Sequence, residues 1–117
     1  MSLEQRSDFL RVGGSGLRYV TPAFILQAAP LTAGADLCLR IGFTASRKVG
    51  NAVARNRAKR RLRTLVDRLM ADADPALDYV FVGRAETLRR PFAAMEKDLR
   101  DALPRIARAA RPKAAAP

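Results

Sequence analysis

Between Leu37 and Ala45 the chain alternates with a period of two: Leu37, Leu39, Ile41, Phe43 and Ala45 project one way, Cys38, Arg40, Gly42 and Thr44 the other. That period predicts a β-strand, one face of which is less apolar than the other. Beyond Gly50 the period changes. Ala54, Ala58, Leu62, Leu65, Val66 and Leu69 recur at helical spacing, and Asn51 stands where a side-chain oxygen can cap the first turn. At 1.5 Å per residue this helix is ~28 Å long, a large part of a small domain.

The flanking segments complete a simple order. Ser7, followed by Asp8, Phe9, Leu10 and Val12, predicts a short capped helix stopped by Gly13 and Gly14. Arg18 to Ala28 is expected as one strand, with Phe24, Leu26 and Ala28 on one face and Ala23, Ile25 and Gln27 on the other; Pro22 pushes it towards a sheet edge or a bulge. A turn covers Pro30 to Asp36. Asp78 to Arg84 is apolar enough on both faces for a central strand. Pro91 suits the first position of a last helix whose stripe is Phe92, Met95, Leu99, Ala102, Leu103 and Ile106, with a kink or break expected at Pro104. The expected architecture is α+β: helix, strand, strand, helix, strand, helix around a small mixed sheet. Residues 1–110 are read as one domain and 111–117 as a mobile tail, because the tail has no apolar period.

Charge sharpens the picture. The 117 residues carry a formal net charge of +11, and nine basic residues fall between Asp36 and Asp67 with no acid among them: Arg40, Arg47, Lys48, Arg55, Arg57, Lys59, Arg60, Arg61 and Arg63. Composition is 49% hydrophobic, so this charge belongs to a folded surface rather than a disordered tail. On the helix, the pairs Arg55/Lys59, Lys59/Arg63 and Arg57/Arg61 are four apart and repel by about 0.2–0.5 kcal/mol each. A face needed only for solubility would interleave acids. The pattern calls for an anionic partner, and the excess of arginine over lysine favours phosphate and bases, where the planar fork binds bidentately. A membrane surface fits less well, since Val53 and alanines are the main apolar residues in the helix's first half.

Absences exclude other classes. The chain has no histidine and one cysteine, Cys38, so the commonest general base, a structural zinc finger and an internal disulfide are all missing. Asp72, Asp74 and Asp78 cluster after the basic helix, a pattern more typical of loop solvation than of a metal site. No catalytic set for nuclease chemistry can be assembled from these side chains. The lone cysteine and the lack of an apolar signal segment lead to an expectation of a cytosolic protein.

The run RIGFTASRKVGNAVARNRAKRRLR closely resembles the signature of the bacterial ribonuclease P protein subunit, with Arg55, Asn56 and Arg57 matching its Arg-Asn-Arg core. Arg6, Ser7, Asp8 and Phe9 resemble the family's N-terminal helix motif, and the similarity extends from about Arg6 to Arg108. The resemblance implies an α/β sandwich with a left-handed βαβ crossover, against the usual hand. It implies a protein that takes part in an endoribonuclease holoenzyme: the catalytic RNA subunit removes the 5′ leader of precursor tRNA with Mg²⁺, and the protein binds RNA and leader. No cofactor bound by the protein alone, no catalytic side chain and no stable protein partner are expected.

Carried over by position, Arg47, Lys48, Arg55, Asn56, Arg57, Lys59, Arg60 and Arg63 are implied contacts to the RNA subunit. Phe9 matches an aromatic of a leader cleft between the first helix and the sheet. Gly13 and Gln27 depart from the pattern, standing where aromatics are common, and Gln27, Arg40, Thr44 and Ser46 are expected to offer polar contacts instead. A structural RNA-binding protein of ribosomal or RNA-chaperone type would share the charge, the helix and the missing catalytic groups. A membrane-active or DNA-binding protein is a more distant reading.

Overall fold

The computed structural model describes residues 3, 6–31 and 39–110. Their elements run α1 (Arg6–Gly13), β1 (Leu17–Val20), β2 (Phe24–Pro30), β3 (Arg40–Ala45), α2 (Ala52–Leu69), β4 (Leu77–Gly83) and α3 (Phe92–Ala110). The four strands form one mixed sheet in the order β1-β2-β4-β3; β4 is antiparallel to β2 and parallel to β3. The expectations for Cys38 and for the tail at 111–117 lie outside the described residues.

The expected single strand over Arg18 to Ala28 is two strands. Thr21 closes a tight hairpin between them: its N–H donates to Phe24 O at 2.8 Å and its Oγ1 accepts from Phe24 N–H at 3.0 Å. Pro22, which has no N–H to give a ladder, occupies the exposed turn. The alternation within β2 is as expected, with Phe24, Leu26 and Ala28 buried against the helices.

One sheet face carries the main core. Ala58, Leu62 and Leu65 of α2 and Met95, Leu99, Ala102 and Ile106 of α3 are buried there, with Phe24 and Leu26 of β2, Ile41 of β3 and Tyr79 and Phe81 of β4. The other face is partly covered by α1, where Leu3, Val12, Ala29 and Val80 form a smaller cluster. Ser7 lies inside α1, which begins at Arg6, rather than capping it. Of the kink or break expected at Pro104, the break does not occur: α3 continues as one helix to Ala110, with the ring on the exposed side and the stripe at Ala102 and Ile106 buried.

The crossover from β3 through α2 to β4 has a hand that backbone polarity reveals. Ile41 faces the helices while its carbonyl accepts from Leu3 N–H at 3.0 Å, on the edge of β3 away from β4. For an L-residue in an upward strand whose side chain faces the viewer, N–H and C=O point right. β4 therefore lies to the left behind a helix in front, which makes the connection left-handed, against the strong general preference.

Candidate nucleic-acid interface

The turn joining β3 to α2 is built for exposure of cations. Ser46 Oγ accepts from Lys48 N–H at 3.1 Å, Gly50 takes a φ of 139° that a side chain would oppose, and Asn51 Oδ1 caps α2 by accepting from Ala54 N–H at 2.9 Å. Arg47 and Lys48 stand exposed on this turn, and Asn56, Arg57, Arg60 and Arg63 are exposed on the helix, with Arg55 and Lys59 half-buried. The first turn holds no acid, and four helix N–H groups begin here, so backbone and side chains favour an anion together.

The basic residues divide by partner. The side chains of Arg47, Lys48, Arg57, Lys59 and Arg60 make no hydrogen bond or ion pair among the described residues. Arg55 donates back to Gly50 O at 2.8 Å, and Arg63 lies 5.3 Å from the centre of the Phe43 ring. Arg61 is turned inwards: it donates to Leu88 O at 3.1 Å and Arg90 O at 2.8 Å and lies 5.9 Å from the Phe92 ring centre. It fastens α2 to the segment before α3, a role the wheel could not show.

On the sheet face opposite the main core, strand register creates rows. Thr44 pairs with Val82, Val82 with Ile25 and Ile25 with Val20, one line across all four strands. The next line is Gly42, Val80, Gln27 and Arg18, and the third begins Arg40, Asp78, Ala29. α1 lies over the second and third lines. Phe9 seats on Gly42, where an added Cβ would stand 2.8 Å from its ring, Val12 covers Val80, and Gly13 abuts Gln27. The third line is closed by charge: Asp78, fully buried, accepts from Arg40 at 2.8 and 2.6 Å and from Arg11 of α1. The first line stays open as the floor of a groove beside α1.

Pro22, Ile25, Ser46, Lys48, Val82, Arg84 and Glu86 enclose a cavity of about 340 Å³ at one end of this floor. Of the expected cleft residues, all half-buried, Ser46 lines this cavity and Thr44 lies on the open line, while Phe9 and Gln27 lie in the α1-covered line next to it. Arg40, also expected at the cleft, lies at the closed end, where its guanidinium donates to Asp78. Sequence reasoning missed Val20, Ile25, Val82 and Arg84. The alternation put Ile25 off the core face, but only the β2–β4 register sets Val82 beside it. Asp74 Oδ1 accepts from Ala76 N–H at 2.9 Å, an ordinary turn contact, and no group of three metal-ligating side chains gathers among the described residues. No helix among them is long and apolar enough to cross a membrane.

A mixed sheet that carries on one face a cationic helix with no acid before Asp67, and on the other face an open groove, fits an α+β RNA-binding protein. The family model of ribonuclease P matches residues 1–107. The chain is 51% identical over 108 residues to the ribonuclease P protein component of Paramagnetospirillum magneticum, covering 89% of this chain and 80% of that one. To the corresponding component of Ruegeria pomeroyi it is 45% identical over 106 residues, 89% and 84% of the two chains. The structure of the RNase P protein from Thermotoga maritima superposes with a TM-score of 0.72 at 28% identity, over 90% of this chain and 96% of that chain. The chain belongs to the ribonuclease P protein component family, the protein subunit of that endoribonuclease. Nothing in these similarities supports a ribosomal or chaperone protein.

Proposed function

We propose that the α2 face, through Arg47, Lys48, Arg55, Asn56, Arg57, Lys59, Arg60 and Arg63, binds the catalytic RNA subunit, and that the groove bordered by Phe9, Gln27, Thr44 and Ser46 receives the single-stranded 5′ leader of precursor tRNA. One observation carries this reading: the turn at Ser46–Lys48 belongs both to the helix's cationic N-terminal end and to the groove's end. A strand of RNA leaving a partner docked on α2 thus meets the groove without a gap. Phe9 offers a base a ring to stack on, and the aliphatic floor offers it a dry surface.

The protein's own groups position and screen. Its five unpartnered cations at the turn and on α2 take over part of the counterion role around phosphate, which lowers the Mg²⁺ the RNA needs. Hydrolysis belongs to the RNA subunit and its Mg²⁺, with no protein side chain as acid, base or nucleophile and no cofactor held by the protein alone. The setting is the cytoplasm. The test is reconstitution with a ribonuclease P RNA and cleavage of a precursor tRNA at low Mg²⁺. Stimulation by the protein is expected, and metal-dependent cleavage by rigorously RNA-free protein would overturn the division of labour. Phe9→Ala should weaken binding of leader-bearing tRNA by about 1 kcal/mol or more and spare leaderless tRNA; equal losses for both would place Phe9 in the core instead.

A further inference from the structure

The open line of the sheet does not end at α1. Its last member, Val20 on edge strand β1, is 51% exposed, although it pairs directly with half-buried Ile25. A single exposed valine is commonplace. This one prolongs an apolar floor of Val82 and Ile25 across the sheet, and at ~4.8 Å per strand the floor measures about 14 Å from β3 to β1. Beside it in the second line stands Arg18, exposed, on the same face because it pairs with Gln27, and without a carboxylate partner among the described residues. α1 has ended by then: Gly13 abuts Gln27, Ser15 Oγ bonds Ala28 O, and the chain turns through Gly16 into β1.

We propose that Val20 and Arg18 form an outer subsite for single-stranded RNA, in which a nucleotide of the leader distal to the cleavage site lays its base or sugar on Val20 and its phosphate against Arg18. The inference rests on the groove reading above and extends it by one strand. Charge complementarity selects the occupant. An acidic peptide would want several cations on this rim, whereas one guanidinium beside an aliphatic platform suits one phosphodiester unit of a strand already held by Lys48 at the other end. The outer position reads no base edge, so it adds affinity with leader length rather than sequence preference.

The experiment titrates the assembled holoenzyme with precursor tRNAs bearing leaders of about ten and about two nucleotides, spanning and falling short of the sheet. Arg18→Ala should weaken the long-leader complex ~5-fold more than the short-leader one and flatten its salt slope by about one unit, the signature of one lost phosphate contact. Arg18→Lys should restore the slope. Val20→Ser should reduce the long-to-short affinity ratio while leaving the salt slope alone. A long-to-short ratio unchanged in both Arg18→Ala and Val20→Ser overturns the subsite. Loss in Arg18→Ala without loss in Phe9→Ala would support the outer subsite and overturn the inner placement. Equal affinity of the unmodified holoenzyme for both leaders would overturn both.

Discussion

Arg61 and Arg57 are four residues apart on one helix, carry the same charge and are predicted to fail in opposite assays. Arg61→Ala removes two charge-assisted bonds to Leu88 O and Arg90 O and a contact with the Phe92 ring. Bonds from a charged donor are worth about 1.5–3 kcal/mol each and a ring contact about 0.5–1 kcal/mol. Arg61 is half-buried, so water replaces part of this. Relief of the Arg57 repulsion returns about 0.2–0.5 kcal/mol. The net expectation is a loss of about 2–3 kcal/mol of folding stability, on the order of a fifth to a half of what a domain has. Urea unfolding followed by circular dichroism measures it, and binding to the RNA subunit under folding conditions supplies the contrast. Arg57→Ala should leave the urea midpoint unchanged and weaken RNA binding by roughly 1–3 kcal/mol. Lysine at 61 should recover only part of the stability, since it cannot span both carbonyls with a planar fork. The reasoning is refuted if Arg61→Ala unfolds at the unmodified urea concentration and loses as much RNA affinity as Arg57→Ala.

Gly42→Ala would put a methyl 2.8 Å from the Phe9 ring and 3.1 Å from Leu3 Cβ, so it should destabilise by about 1–3 kcal/mol, and adding Phe9→Ala should recover part of the loss in a thermal melt; strict additivity would refute the contact. Asp78→Ala removes the buried carboxylate that Arg11 and Arg40 share and should cost about 1–3 kcal/mol, with amide exchange in α1 accelerating more than in α2. Uniform acceleration would show that the ion pairs do not dock α1. Burial pushes the Tyr79 phenol up from 10.0 to about 12, so the unfolded chain ionises first. Stability should therefore be intact below pH 10 and fall as pH rises towards 12, and the fall should be shallower in Tyr79→Phe; parallel alkaline profiles would refute it.

What the sequence discloses depends on how local the determining interaction is. The junction of β3 and α2 was legible because its cues lie within a few residues: the period changes from two to helical, and Asn51 caps a bond three residues away. The hairpin of β1 and β2 was not, since Pro22 is compatible with an edge strand, and only the Thr21–Phe24 hydrogen bonds force the reversal. The pairing of Arg40 was hidden for a different reason. Its partner Asp78 is 38 residues away, and no alternation pattern says which carboxylate will be carried into the sheet beside it. The groove floor failed for the same cause, because it exists only through registers between β3, β4, β2 and β1, two of which join strands distant in sequence.

That contrast explains why charge alone was an incomplete guide to the interface. Among nine basic residues in one acid-free stretch, Arg40 and Arg61 are bound to acceptors supplied by remote parts of the chain, and these two hold β3 to β4 and α2 to the segment before α3. Removing them from the surface leaves Arg47, Lys48, Arg57, Lys59 and Arg60 without a partner in the described fold. The internal pairs make a rigid platform, and a rigid platform keeps like charges together at low conformational entropy, so the repulsion between Lys59 and its neighbours stays undischarged until an anion arrives. On the reading proposed above, RNA bound along this face would relieve a repulsion already present in the folded protein.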